Sequence, residues 1–226
     1  MEKRLNRAER RLNAYYRITS NPTLSLDDKI RKLLRFARGS FRMPIAVLAR
    51  ITEQRFEVIH AVPRAGAIPA GTVLNLAHTY CAETVESEHP VGFSNVSGTH
   101  RERSECFQRC GLAAYLGMRV IVAGRPWGTL ATLSEAARQA EFDEGDLHFI
   151  RLLADWIGNA LTWDAETREL RALAEWRKAV FSGISSGIVT CDADGTLRSG
   201  WFLKYSNRPA RIPNEHSETP YITRRA

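Results

Sequence analysis

Two pairs of β-rich runs, each turned back on itself by a short polar break, constrain this chain more than any other feature. Residues 44–51 (PIAVLARI) and 55–62 (RFEVIHAV) are separated only by Thr52-Glu53-Gln54, and residues 114–122 (AYLGMRVIV) and 128–133 (GTLATL) flank Gly124-Arg125-Pro126. Runs rich in Val, Ile and aromatic residues across so short a break form antiparallel hairpins, because parallel strands need a crossover of a dozen residues or more. The second pair is the clearer hairpin, and both of its strands are expected to be central. The segment between the hairpins begins with a Pro-, Gly- and Ala-rich loop over 63–71, followed by the run 72–76. A short helix around 81–86 and a brief strand over 90–93 come next. Residues 94–105 (SNVSGTHRERSE) show neither a helical nor a strand period and are predicted to form a long exposed loop.

Helices bracket this β-rich centre. Residues 2–18 form a charged helix that Ser20-Asn21-Pro22 interrupts. Ser25 with Asp28 three positions on opens a second helix, in which Leu26, Ile30, Leu33, Leu34 and Ala37 recur every three or four residues and so share a buried face. Gly39 is its expected end. Near the C-terminal side, Asp143 is an N-cap between Phe142 and Leu147, the two positions of a hydrophobic staple. Leu147, Ile150, Ala154, Ile157 and Leu161 then follow a 3,4,3,4 seam. A charged helix continues over 164–180 with Leu170 and Leu173 turned inward, as a connector or dimer seam. These elements predict an α+β fold, an antiparallel sheet with helices packed against it.

Composition excludes several classes. With 44% apolar and 25% charged residues the chain sits among globular proteins, and it has neither a signal-peptide h-region nor a run of some 18 apolar residues, so a cytoplasmic, non-membrane location is expected. Four cysteines, Cys81, Cys106, Cys110 and Cys191, without a CxxC pair are expected as reduced thiols. The net charge of +7 is uneven: residues 1–42 hold 12 basic and 4 acidic groups, whereas residues 43–163 hold 10 and 13. Basic groups on helix faces without interleaved aromatic platforms predict a solvated surface and no nucleic-acid partner.

Several segments carry a family resemblance. The opening Tyr16-Arg-Ile-Thr-Ser20, the middle Thr79-Tyr-Cys81, the run Gly111-Leu-Ala-Ala-Tyr-Leu-Gly117, the pair Trp127-Gly128 and the close at Phe142 with residues 146–161 together resemble the GAF domains of bacterial signalling proteins. The resemblance implies a GAF domain over 23–163, preceded by the charged helix of 1–22 and followed by a connector helix over 164–180. It implies a sensor module of the kind found in two-component or cyclic-di-GMP signalling, dimeric through its flanking helices, with a small ligand held between the sheet and residues 77–110. Tyr80, Cys81, His100, Cys106 and Tyr115 are the expected ligand-binding residues; the ligand and any cofactor stay unidentified. Residues 181–198 (FSGISSGIVTCDADGTLR) resemble the first helix and hairpin of a PAS domain that the remaining chain is too short to complete, so a truncated or frame-shifted gene with a disordered tail over 199–226 is expected.

Other chemistries were weighed against this one. Free-methionine-(R)-sulfoxide reductases share the fold and use thiols in this region; Cys81 and Cys106 lie 25 positions apart, close to that family's interval, but Gly71 stands where its usual resolving cysteine falls. A bilin chromophore would need a cysteine followed by histidine, whereas Phe107 follows Cys106 and Gly111 follows Cys110. His100, Cys106 and Cys110 match no strong zinc spacing. Neither a phosphate-binding GxGxxG or GxxxxGK loop nor a GxSxG, HExxH or GGDEF-like motif occurs. A non-catalytic sensor is therefore the expected function, with a thiol reductase and a purely structural dimerisation scaffold as the rivals.

Overall fold

The computed structural model describes residues 2–63, 68–183, 188–191 and 197–201. The chain divides into two units, residues 1–167 and 168–226, each described by itself. The first begins with helices α1 (Glu2–Thr19) and α2 (Leu26–Phe41) and the hairpin of β1 (Ile45–Thr52) and β2 (Arg55–Val62). It continues with β3 (Val73–Asn75), α3 (Cys81–Glu86), β4 (Val91–Phe93), α4 (Glu105–Cys110), β5 (Ala114–Val122) and β6 (Arg125–Ser134), then enters helix α5 (Glu144–Gly183), which runs on into the second unit. The six strands form one antiparallel sheet in the order β3-β2-β1-β6-β5-β4. This is the predicted α+β architecture; both strands of the second hairpin are interior, and β1 with β6 forms the middle of the sheet.

Local chemistry sets the helix ends. Ser25 accepts the Asp28 N–H at 3.1 Å and its hydroxyl donates to the Asp28 carboxylate at 2.7 Å, which fixes the start of α2. The helix passes through Gly39 and ends at Arg42, whose φ of 54° is left-handed and whose N–H caps the Arg38 carbonyl. Gly39 was the expected stop. The buried stripe extends to Phe41, and apolar burial outweighs the cost of one glycine inside a helix. At α5, Asp143 accepts the Asp146 N–H at 2.8 Å while Asp146 accepts the Asp143 N–H at 3.3 Å. Phe142 and Leu147 both rest over Gly92, so the staple is present as predicted.

The second hairpin turns one position earlier than expected, at Ala123 and Gly124, both with positive φ. Pro126 consequently lies inside β6. It is tolerated because β1 pairs with β6 only from Gly128 onward, leaving the Pro126 edge without a missing donor on that side. Residues 94–105 also differ from expectation. Ser94 and Val96 are buried and His100–Arg103 is a 3-10 turn, with the short α4 following directly. A polar sequence hid this, since one-turn helices held by Ser and Thr caps leave no hydrophobic period to read.

The sheet divides two cores. Ala46, Leu48, Leu116, Met118, Val120 and Leu130 face the helices, meeting Ile30, Leu33, Leu34 and Phe41 of α2 and Phe149, Ile150, Leu153 and Ile157 of α5. Burying each such Leu, Ile or Phe contributes about 1.5–3 kcal/mol. Ile45, Val47, Ala49, Tyr115, Ala131 and Leu133 face the opposite way. Gly158 of α5 seats directly on the Ile121 carbonyl, where any Cβ would collide, and Thr162 accepts the turn N–H of Ala123 at 2.9 Å. One polar knot ties the helices together. Arg11, 6% exposed, contacts the Asp146 carboxylate at 2.6 Å, donates to the carbonyls of Ser40 and Gly145, and stacks against Phe41 and Phe149.

In the second unit, α5 continues to Gly183, and β7 (Ile188–Cys191) pairs with β8 (Leu197–Trp201) in an antiparallel hairpin. Leu170 and Leu173 are not turned inward: they are 67% and 58% exposed, and Trp176 is exposed beside them. Of the expected PAS-like start, residues 184–187 and 192–196 lie outside the described residues, as do residues 202–226 of the expected disordered tail.

Candidate functional site

The sheet face away from the helices is covered by residues 76–112, and the chemistry collects there. Tyr115 projects from β5 onto this face because its neighbours Ala114 and Leu116 take the helical side. Its phenol lies along the sheet above Gly117, where a Cβ would collide with it. The glycine in the Gly111–Gly117 run is thus the space that Tyr115 fills. Gly111, at the start of the run, closes α4 in the left-handed conformation with φ 65°.

Tyr115 is fully buried and joins Tyr80 and Phe93 in an aromatic box, with ring centroids 4.9–5.5 Å apart. The Tyr115 hydroxyl shares a 2.6 Å hydrogen bond with Thr84 and lies 3.5 Å from the Cys81 sulfur. Tyr80 donates to the Leu112 carbonyl at 2.8 Å. Thr129, on the adjacent strand, lies against Cys81 close enough to favour the thiolate, yet its Oγ1 is buried without a regular hydrogen-bond partner. An orphaned hydroxyl in a protein interior costs roughly 1–3 kcal/mol. At the outer edge, the Arg101 guanidinium sits 4.9 Å from the Phe93 ring and grips Glu83 through contacts of 2.8 and 2.9 Å, tying the 3-10 turn to α3.

Burial sets the protonation of this layer. It raises the Cys81 thiol, with Thr129 and Tyr115 opposing, and holds the Tyr115 phenol well above its ordinary range, with Cys81 adding to the effect. It also raises the Tyr80 phenol. Cys106 packs against the cluster partly buried, and burial pushes its pKa up to about 12. All of these groups are neutral at pH 7, so the layer offers hydroxyl, thiol and π faces rather than charge.

Of the five residues expected from sequence, the structure gathers Tyr80, Cys81 and Tyr115 in one cluster and sets Cys106 against it. His100 is exposed on the 3-10 turn and outside the cluster. Thr84, Phe93, Arg101 and Thr129 surround the same cluster and are not among the five. Phe93 and Thr129 sat inside recognised strands, where the alternation of the chain toward this face was the available signal; nothing in the sequence distinguished Thr84 or Arg101. Among the described residues no group of three or more His, Cys, Asp or Glu side chains is placed to hold a metal ion, and no helix is long and apolar enough to cross a membrane.

An antiparallel sheet with helices on one face and a crossover layer over a neutral aromatic cluster on the other defines the α+β class of this domain. The GAF domain family model matches residues 25–161, and the chain belongs to that family. Solved structures of the same fold include the GAF domain of an Acinetobacter phosphoenolpyruvate-protein phosphotransferase (16% identity, 70% of this chain, 97% of that chain, TM-score 0.55). The phycoerythrobilin-bound GAF domain of a cyanobacterial phytochrome is similar too (14%, 70%, 97%, 0.57). So is free methionine-R-sulfoxide reductase from Neisseria meningitidis in complex with its substrate (15%, 70%, 93%, 0.55). No curated protein matches the chain in sequence.

Proposed function

We propose that this GAF domain is a non-catalytic sensor that takes a small neutral ligand into the layer around Tyr115 and relays its presence through α1 and α5 to a second copy of the chain. The observation that carries the reading is the buried, unpartnered Thr129 hydroxyl beside Cys81 and the Tyr115–Thr84 pair. A ligand with a polar atom at that point would relieve the orphan and could replace the contact Tyr115 makes above Gly117. Ligands shift a conformational equilibrium only by such differential contacts. The Arg101–Glu83 pair, on the surface and worth at most about 1 kcal/mol, is weak enough to open for entry.

Leu12 and Tyr16 of α1, and Trp163, Leu170, Leu173 and Trp176 of α5, are exposed apolar side chains that support helix-mediated dimerisation. The β7–β8 hairpin fits the opening of a further sensory domain of the PAS kind, and uncharged thiols fit a reducing cytoplasm. Two-component or cyclic-di-GMP signalling is the corresponding setting.

A thiol reductase is the enzyme rival because a structural neighbour bears that activity. At a pKa of about 12, the thiolate fraction of Cys106 near neutral pH falls about a thousandfold below that of an ordinary thiol near 9, which supports the non-catalytic reading.

The test is native mass spectrometry of the full chain followed by thermal shift against metabolites. A co-purified molecule, or a ligand whose stabilisation is lost in Thr129→Val, is expected. A dimer that binds nothing would favour the scaffold, and thiol-dependent turnover of methionine sulfoxide abolished by Cys106→Ser would favour the reductase. Leu170→Glu with Leu173→Glu should convert a dimer to monomer in sedimentation velocity.

A further inference from the structure

The two flanks of α1 differ in chemistry. On the side toward α5, a pocket is lined by Leu12, Phe149 and Leu152 together with the carboxylates Asp143 and Glu144. On the side toward α2 runs a groove of about 590 Å³ into which Arg7, Arg10, Arg11, Arg35 and Arg42 converge, with no carboxylate among its lining residues. Its wall includes Phe36 and Ser40, and above Gly39 there is open space where a side chain would otherwise stand.

The five guanidiniums are not equivalent. Arg7 and Arg11 are committed to Asp146. Arg10, Arg35 and Arg42 are exposed and have no ion pair or side-chain hydrogen bond among the described residues. Arg31, Arg35, Arg38 and Arg42 recur at spacings of 4, 3 and 4, which aligns them along one flank of α2, where like charges repel. Arg38, whose buried Nε lacks a hydrogen-bond partner, lies outside the groove, in a recess with Arg31, Ala61 and Val62. Arg42 occupies a left-handed cap, a position that glycine fills with least strain. Burial lowers the pKa of nearby Arg138, with Asp146 and Glu141 opposing and Arg7 and Arg42 pressing it lower. Pairing within the fold accounts for Arg7, Arg11 and Arg31, the last held by Asp27 and Asp28, and leaves Arg10, Arg35 and Arg42 without a carboxylate partner among the described residues.

An anion accounts for these three. Guanidinium forks match the oxygens of phosphoryl groups in paired hydrogen bonds. Three uncompensated forks spread around a groove of about 590 Å³ leave room for more than one phosphoryl group. A long nucleic acid fits less well, because the sheet-bearing segment that follows carries excess acid and the groove offers one aromatic ring rather than a row of them. We propose that the α1–α2 groove is a binding site for a small oligophosphate, free or carried by a nucleoside, with Arg10, Arg35 and Arg42 holding its phosphoryl oxygens. The site is separate from the Tyr115 layer, lying on the other side of the sheet. Through Arg7 and Arg11, which line it and reach Asp146, its occupancy bears on the anchorage of α5.

Isothermal titration calorimetry of the full chain with sodium tripolyphosphate, at low and high salt, tests the proposal. Binding is expected at low salt, weakened at least about tenfold by Arg35→Ala with Arg42→Ala and unchanged by Arg125→Ala, an exposed arginine on the hairpin turn. Circular dichroism melting of the double variant should match the parent, since both side chains are exposed. A nucleoside triphosphate binding more tightly than tripolyphosphate would assign its base to the Phe36 wall; equal or weaker binding would assign a free oligophosphate. The proposal is overturned by absence of tripolyphosphate binding at low salt, or by equal affinity in the double variant. Binding confined to long duplex DNA and reduced equally by Arg125→Ala would overturn it as well.

Discussion

The two faces of the sheet are built from the same strands and differ in what they are for. Toward the helices, the strands present aliphatic side chains in regular alternation, and the one ionised cluster there, Arg11 with Asp146, is bonded on every side. Toward the crossover layer they present Tyr115, Thr129 and small residues, covered by short helices and turns that bring a phenol, a thiol and another hydroxyl. A face filled by regular aliphatic packing fixes geometry. A face holding an unsatisfied hydroxyl and a tyrosine laid over a glycine keeps unused bonding capacity, the feature on which the proposed ligand site rests.

That contrast predicts a gradient of effects. Asp146→Ala should be the most damaging single change, because it leaves Arg11 charged and buried without a partner; a loss of about 3–5 kcal/mol is expected in urea unfolding, and Asp146→Ala with Arg11→Met should recover part of it. Leu116→Ala, on the helical face, should cost about 3 kcal/mol by the same measurement. Next to it in sequence but on the other face, Tyr115→Phe keeps the ring and loses one buried hydrogen bond, for about 1 kcal/mol. If the two costs came out reversed, the division of labour between the faces would be wrong.

The smallest effect concerns His60 on β2, half-buried 3.2 Å from Asp27. Burial lowers its pKa, Asp27 opposing and Arg31 assisting. The unfolded chain therefore takes up this proton first, so the His60 contribution is complete above the unfolded value near 6.5 and is lost as pH falls through the folded value. Stability measured between pH 7 and 5 should decline less steeply in His60→Gln.

The helical face was the legible one. Ile30, Leu33 and Leu34 announced α2 by period, and Phe142, Asp143 and Leu147 announced the start of α5, because burial of a regular stripe writes itself into spacing. Tyr80, Cys81 and Tyr115 were legible only through family resemblance. Thr84 and Arg101 were not legible at all: they matter through partners 31 and 18 positions away, and a pairing between elements distant in sequence leaves no mark on either local sequence. Arg11 was lost for a related reason. One arginine among many in a basic helix gives no hint that it alone is buried.

Arg11 also separates two notions of a domain. The family-matched span opens at residue 25, yet Asp146 inside that span is neutralised from outside it, by α1. The inherited unit and the mechanical unit therefore have different borders. A protein begun at the inherited border would carry a lone carboxylate at the root of its longest helix, and whatever displaces α1 in the intact chain works the same lever.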